Sequence, residues 1–105
     1  MTWTVYQHYL PQTGQSYIGI TSQQPPEKRW KNGNGYKGQR FYYAIKKYGW
    51  DAFDHIIVAS GLTKKAAEAM EKELIKEFKT QNPKYGWNVA AGGISIPYWK
   101  FKRKR

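Results

Sequence analysis

Read with a period of two, Thr2 to Leu10 and Gln15 to Ile20 each divide into the two faces of a strand. The first run is rich in β-branched and aromatic residues. Read as a strand, it sets Tyr6 and His8 on one face and Val5, Gln7 and Tyr9 on the other. Pro11-Gln12-Thr13-Gly14 between the runs is turn chemistry, because proline presets its own φ and glycine tolerates positive φ. In the second run Ser16, Ile18 and Ile20 share a face opposite Tyr17 and Gly19. A hairpin that pairs the face of Tyr6 with that of Tyr17 brings the two phenols near each other above the sheet.

Pro25-Pro26 opens a short helix through Glu27-Lys28-Arg29-Trp30-Lys31, proline being tolerated in a first turn. Asn32 to Gly38 reads as a glycine-punctuated, mobile loop. Gln39 to Tyr48 has a helical period, with Phe41, Ile45 and Tyr48 on one stripe and Gly49 as the stop. Phe53 to Ala59 reads as a third strand. Thr63 caps the longest helix, which runs to about Thr80 and gathers Ala67, Met70, Leu74, Ile75 and Phe78 on one arc. Past its first turn Glu71 is the charged residue well inside that arc; Glu68 and Glu77 sit at its edges. Asn82-Pro83 breaks the helix, Gly86 to Gly93 forms a loop of mostly small residues, and Ile94 to Phe101 reads as a last short strand.

Composition narrows the partners. The 105 residues fit one domain with a modest core. Lys and Arg outnumber Asp and Glu by 18 to 7, for a net charge of +11, which favours a polyanion, nucleic acid first and anionic lipid second. Lys100, Lys102, Arg103, Lys104 and Arg105 form a cationic tail, and the body is basic without it. The absence of cysteine excludes disulfide scaffolds, thiolate zinc sites and cysteine nucleophiles. No signal-like or membrane-length apolar run is present, so a soluble, cytoplasmic protein without a membrane partner is expected. Nine Tyr and five Trp exceed what so small a core absorbs, leaving rings for a sugar or base.

Each candidate for chemistry has an ordinary reading beside the functional one. Glu71, costly to bury unpaired, is either a helix-face ion pair or rim position, or a metal ligand or acid–base group. Arg29 is one of eighteen cationic side chains, most of which only solvate a face. Tyr6 and Tyr17 read as cross-strand packing as readily as chemistry. Asn88 can simply hold a turn through its amide. His55 alternates with apolar strand residues and reads as structural; His8 shares the face of Tyr6 and is a candidate helper. His8 and His55 are too far apart in sequence for a local metal pair. No HxxxH, Walker loop or Ser-His-Asp ordering occurs.

Together these residues fit one pattern. Thr4-Val5-Tyr6, ten residues, then Tyr17-Ile18-Gly19 resembles the paired-tyrosine signature of the GIY-YIG endonucleases. Arg29-Trp30, Ala44 to Gly49 with Phe53, Glu71, and Gly86-Trp87-Asn88 with Gly92-Gly93 resemble that family's later elements, in order. Thr4-Val5 departs from the usual Gly-Ile, and the loop after Arg29 holds Asn32, Asn34 and Tyr36 where several relatives carry histidines.

The resemblance implies an α+β fold, a small sandwich with a three-stranded antiparallel sheet flanked by helices. It implies a catalytic domain over residues 1–95, with 96–105 as a basic tail. It implies a DNA endonuclease that hydrolyses phosphodiesters with one Mg²⁺ or Mn²⁺ and no organic cofactor. Glu71 would hold the metal, Arg29 would offset charge on the phosphate, Tyr17 or Tyr6 would orient and deprotonate water, and Asn88 would position the metal shell or phosphate. Lys28, Lys31, Lys37 and Arg40, with the tail, would hold the DNA backbone. The alternative reading is a non-catalytic nucleic-acid-binding module that keeps the fold.

Overall fold

The computed structural model describes residues 1–89. Strands β1 (Trp3–Leu10) and β2 (Gln15–Thr21) form the expected hairpin, with Gly14 at φ +78° closing the turn. A four-residue helix α1 (Glu27–Trp30) runs into a 3-10 turn over Lys31–Tyr36. Helix α2 (Arg40–Tyr48) ends at Gly49, whose N–H bonds back to Ile45 O. After a second 3-10 turn at Trp50–Ala52 come strand β3 (Asp54–Leu62) and helix α3 (Lys64–Phe78), whose Thr63 cap accepts from Ala66 N–H. The sheet is antiparallel in the order β2-β1-β3.

Register decides what each face carries. Tyr6 pairs with Gly19 and His8 with Tyr17 across β1 and β2, while His8 faces His55 across β1 and β3. Tyr6, His8 and Tyr17 therefore project from one side of the sheet. That side is covered by Trp30, Tyr36, Phe41, Ala44, Ile45 and Trp87, an aromatic-rich core. The other side packs Val5 and Ile18 against Ala67 and Ile75 of α3. The β1–β2 alternation and the role of α3 as a cover of one face follow the pattern of apolar positions.

Three expectations change. The segment 32–38 is a packed turn and not a mobile loop: the backbone passes through left-handed conformations at Lys31, Asn32 and Gly33 and drives Tyr36 into the core, fully buried. Strand β3 runs past Ala59 to Leu62, because β1 keeps pairing with it as far as Trp3. Phe78 is exposed: the chain reverses at Lys79 (φ 56°), and the buried side chain there is Thr80. The loop beyond Val89, the expected last strand and the cationic tail lie outside the described residues.

Candidate active site

The tyrosines are placed by opposite means. Tyr6, 1% exposed, lies over the backbone of Gly19, where a Cβ would come within 2.5 Å of its Cζ and Oη. Tyr17 is half-buried, stacks on Phe41 (centroids 4.6 Å apart, planes 5° apart) and donates to Gln39 Oε1 at 3.3 Å. Tyr17 is the phenol nearer solvent, and Tyr6 the one sealed in the core.

Arg29 is held in position from two directions. Its guanidinium lies 4.5 Å from the centroid of the Tyr36 ring, and its Nη1 donates to Gly35 O. Gly35 permits that closure, since a Cβ there would fall 2.0 Å from Arg29 O. Tyr36 also donates or accepts through its hydroxyl, 2.9 Å from His8 Nε2 and 3.1 Å from Tyr6 Oη. Tyr36 was absent from the sequence-derived site. Its signal was an aromatic ring set between Gly35 and Gly38, a place where a purely flexible loop has no use for one.

Glu71 sits one helical turn from each of the buried residues Ala67 and Ile75 and is half-buried. Helix α3 packs on the sheet face opposite the tyrosines, so Glu71 and the phenols are carried on opposite sides of the sheet. The charge of Glu71 nevertheless reaches both phenols. Burial pushes Tyr6 and Tyr17 well up; the nearby Arg29 cation draws both down and the Glu71 carboxylate raises both. Neither phenol is therefore an ionised base at neutral pH.

Asn88, 6% exposed, has both ends of its amide committed to one residue. Its Oδ1 accepts from Ile18 N–H at 2.9 Å and its Nδ2 donates to Ile18 O at 2.8 Å. It acts as a side-chain partner strand for β2 between Tyr17 and Gly19. The backbone continues the seam, with Ser16 N–H donating to Tyr85 O and Trp87 N–H to Ser16 O. Arg40, expected on DNA, is half-buried and donates from Nη2 to Asn88 O at 2.8 Å and Gln81 O at 3.4 Å, tying α2 to this seam. Lys28, Lys31 and Lys37 are exposed on α1 and the turn after it.

His8 is buried among Tyr6, Trp30, Tyr36, Phe41 and Trp50. Burial, with the charges of His55 and Arg29, lowers its pKa from 6.5 to about 2, so it is neutral. The sheet brings the two distant histidines together, Nδ1 to Nδ1 at 2.9 Å. The β1–β3 register, not sequence proximity, makes the pair.

Among the described residues no three His, Asp or Glu side chains gather as a metal cage. A single carboxylate suits a hard cation such as Mg²⁺, which keeps several waters and takes one or two protein carboxylates with a phosphate oxygen. Glu71 fits that donor set. No helix of the described residues is long and apolar enough to cross a membrane.

The fold and these side chains define a class: a small α+β domain with a tyrosine-bearing hairpin, a helix-borne arginine and a helical glutamate. The model of the GIY-YIG catalytic domain matches residues 2–85. The chain belongs to the GIY-YIG family and is a DNA endonuclease by that membership. Its structure is similar to a mutant of the catalytic domain of the intron endonuclease I-TevI. The TM-score is 0.70 at 20% identity, over 90% of this chain and 100% of that one. No curated protein matches it in sequence. The family match ends before Asn88.

Proposed function

We propose that the chain is a Mg²⁺- or Mn²⁺-dependent DNA endonuclease that cleaves phosphodiesters at a site holding one metal ion. The observation that carries this reading is the Arg29 guanidinium seated on the ring of Tyr36, whose hydroxyl bonds that of Tyr6; the charge of Glu71, from a separate helix, raises both Tyr6 and Tyr17. A binding module needs cations for phosphate, but it does not need a half-buried carboxylate in range of the same two hydroxyls. The similarity to the intron endonuclease domain supports DNA as the substrate.

Each residue has a task in the hydrolysis of a phosphodiester to 3′-hydroxyl and 5′-phosphate ends. Arg29, fixed by Gly35 O and the Tyr36 ring, presents its charge to the non-bridging oxygens as they gain negative charge in the transition state. Tyr17 keeps its proton and orients the attacking water as a neutral hydroxyl; the proton that the water gives up on attack passes to solvent, and solvent returns one to the departing 3′-oxygen. Tyr6, buried behind it, sets the dipole against which Arg29 and Glu71 are placed. Glu71 would hold a divalent cation, and that ion would supply Lewis-acid polarisation of the phosphoryl group and offset charge on the leaving oxygen. Asn88 is a positioning residue that fixes β2, and so Tyr17. Exposed Lys28, Lys31 and Lys37, with the basic tail, hold the DNA backbone.

Supercoiled plasmid incubated with the protein and Mg²⁺, with EDTA as control, tests this directly. Nicking or linearisation only with metal is expected. A gel shift with no cleavage in Mg²⁺ or Mn²⁺ would make the chain a binding module instead.

A further inference from the structure

Tyr6, Tyr36, His8 and His55 form an unbroken hydrogen-bonded chain that ends on a backbone carbonyl. Tyr6 Oη and Tyr36 Oη are 3.1 Å apart, and Tyr36 Oη is 2.9 Å from His8 Nε2. His8 Nδ1 is 2.9 Å from His55 Nδ1, and His55 Nε2 is 3.2 Å from Trp50 O. A carbonyl only accepts, so a neutral His55 carries its proton on Nε2. Its Nδ1 is then a lone pair, and His8 must donate from Nδ1. His8 has one ring proton, so its Nε2 accepts and Tyr36 donates to it. The single Tyr36 hydrogen is now used, which leaves Tyr6 as the donor between the phenols. One carbonyl fixes every hydrogen in the chain, and Tyr6 Oη has only lone pairs left for any further partner.

The geometry admits one other polarity. With a second proton on His55, Nδ1 donates to His8 Nδ1, His8 donates from Nε2 to Tyr36, and Tyr36 donates to Tyr6. The Tyr6 hydrogen must then point to a different acceptor. The two polarities differ by one proton: it enters at the Tyr6 end, each bond passes one hydrogen along, and the charge comes to rest on the His55 imidazolium.

We propose that Tyr36, His8 and His55 are positioning residues for the Tyr6 hydroxyl, which they hold as an acceptor while His55 is neutral and turn into a donor when His55 gains a proton. The proposal rests on the nuclease reading, since it bears on cleavage only if Tyr6 belongs to the site. The surroundings place the extra proton on His55. Asp54 on its own strand, Asp51 in the preceding turn and Glu27 on α1 face it and favour the cation, and its bond to Trp50 O does the same. Burial outweighs them, so His55 titrates below the ordinary histidine value. His8 is deeper, with Arg29 and His55 both opposing its charge.

The test uses the full chain labelled with ¹⁵N, whose imidazole nitrogen shifts distinguish the tautomers. Above the His55 midpoint His8 should carry its proton on Nδ1 and His55 on Nε2; below it His8 should switch to Nε2–H. In parallel, the Mg²⁺-dependent rate of plasmid cleavage is followed against pH for the wild type and Tyr36→Phe. The wild-type rate should fall about tenfold per pH unit below the His55 midpoint, the slope of one proton. In Tyr36→Phe, which keeps the ring but breaks the chain, His55 should still titrate while the rate no longer follows it. An Nε2–H tautomer of His8 at neutral pH would overturn the polarity, and an acid limb unchanged in Tyr36→Phe would overturn the positioning role. Should neither protein cleave DNA, the nuclease reading fails by itself, and the tautomers alone decide the polarity.

Discussion

The phenol of Tyr6 occupies the space that any side chain at position 19 would need. The two residues face each other across β1 and β2, and the ring lies flat enough on the Gly19 backbone that a Cβ would approach Cζ and Oη to 2.5 Å. Gly19→Ala must therefore displace a ring that is packed on every side. The expected cost is that of overpacking, about 1–3 kcal/mol, read as a lowered denaturation midpoint. Cleavage should fall further than stability at a temperature where the variant is still folded, because the displaced hydroxyl is the one bonded to Tyr36, on whose ring Arg29 rests.

Removing the amide of Asn88 leaves the buried N–H and C=O of Ile18 without their side-chain partner. Asn88→Ala should destabilise the protein by roughly 2–6 kcal/mol, the range for two unsatisfied buried groups. Asn88→Asp should recover little, since a carboxylate accepts from Ile18 N–H but cannot donate to Ile18 O. Chemical denaturation of the three proteins checks the order. Equal stability of all three would remove the clamp.

Glu71→Ala should abolish cleavage in Mg²⁺ and leave DNA binding in EDTA within about threefold of wild type, as charge is lost only at the metal position. Arg29→Ala should lower the cleavage rate by about 10²-fold or more, the usual cost of losing a group aimed at transition-state charge. A loss of less than twofold in either rate would place the catalytic centre elsewhere.

Stability should depend on pH through His8. Its folded pKa is lowered to about 2 from 6.5 in the unfolded chain, so between these values the unfolded state binds the extra proton. The contribution is complete above pH 6.5 and is lost as pH falls below it, by up to about 1.4 kcal/mol per pH unit. His55, also lowered, adds a shallower loss in the same direction. Thermal melts from pH 7.5 to 5 should show this slope, and His8→Phe should flatten most of it.

The hairpin is legible because a two-residue period fixes which residues of one strand share a face, Tyr6 with His8 and Tyr17 with Gly19; that the two faces coincide depends on the β1–β2 register. Glu71 stood out because one carboxylate interrupts an apolar arc. The 3-10 turn was not legible, since Asn-Gly-Asn-Gly-Tyr has the composition of a mobile loop. What orders it is tertiary, the burial of Tyr36 and its contacts with Arg29 and His8. The His8–His55 pair depends on the β1–β3 register, which a bulge near Val5 offsets and no local pattern encodes. Asn88 could be picked out as a residue of interest, but its partner, Ile18, lies 70 positions away.

That separation has a consequence for how the enzyme comes into being on the ribosome. The strand carrying Tyr17 is made early, yet the amide that braces its neighbour is translated near the end of the described chain. Closing a loop over such a span costs more entropy than closing the local hairpin turn, by an amount that grows with the logarithm of its length. Nascent chains lacking that bracket would carry Tyr17 on an unbraced strand, so the hairpin edge is completed only after position 88 has been made.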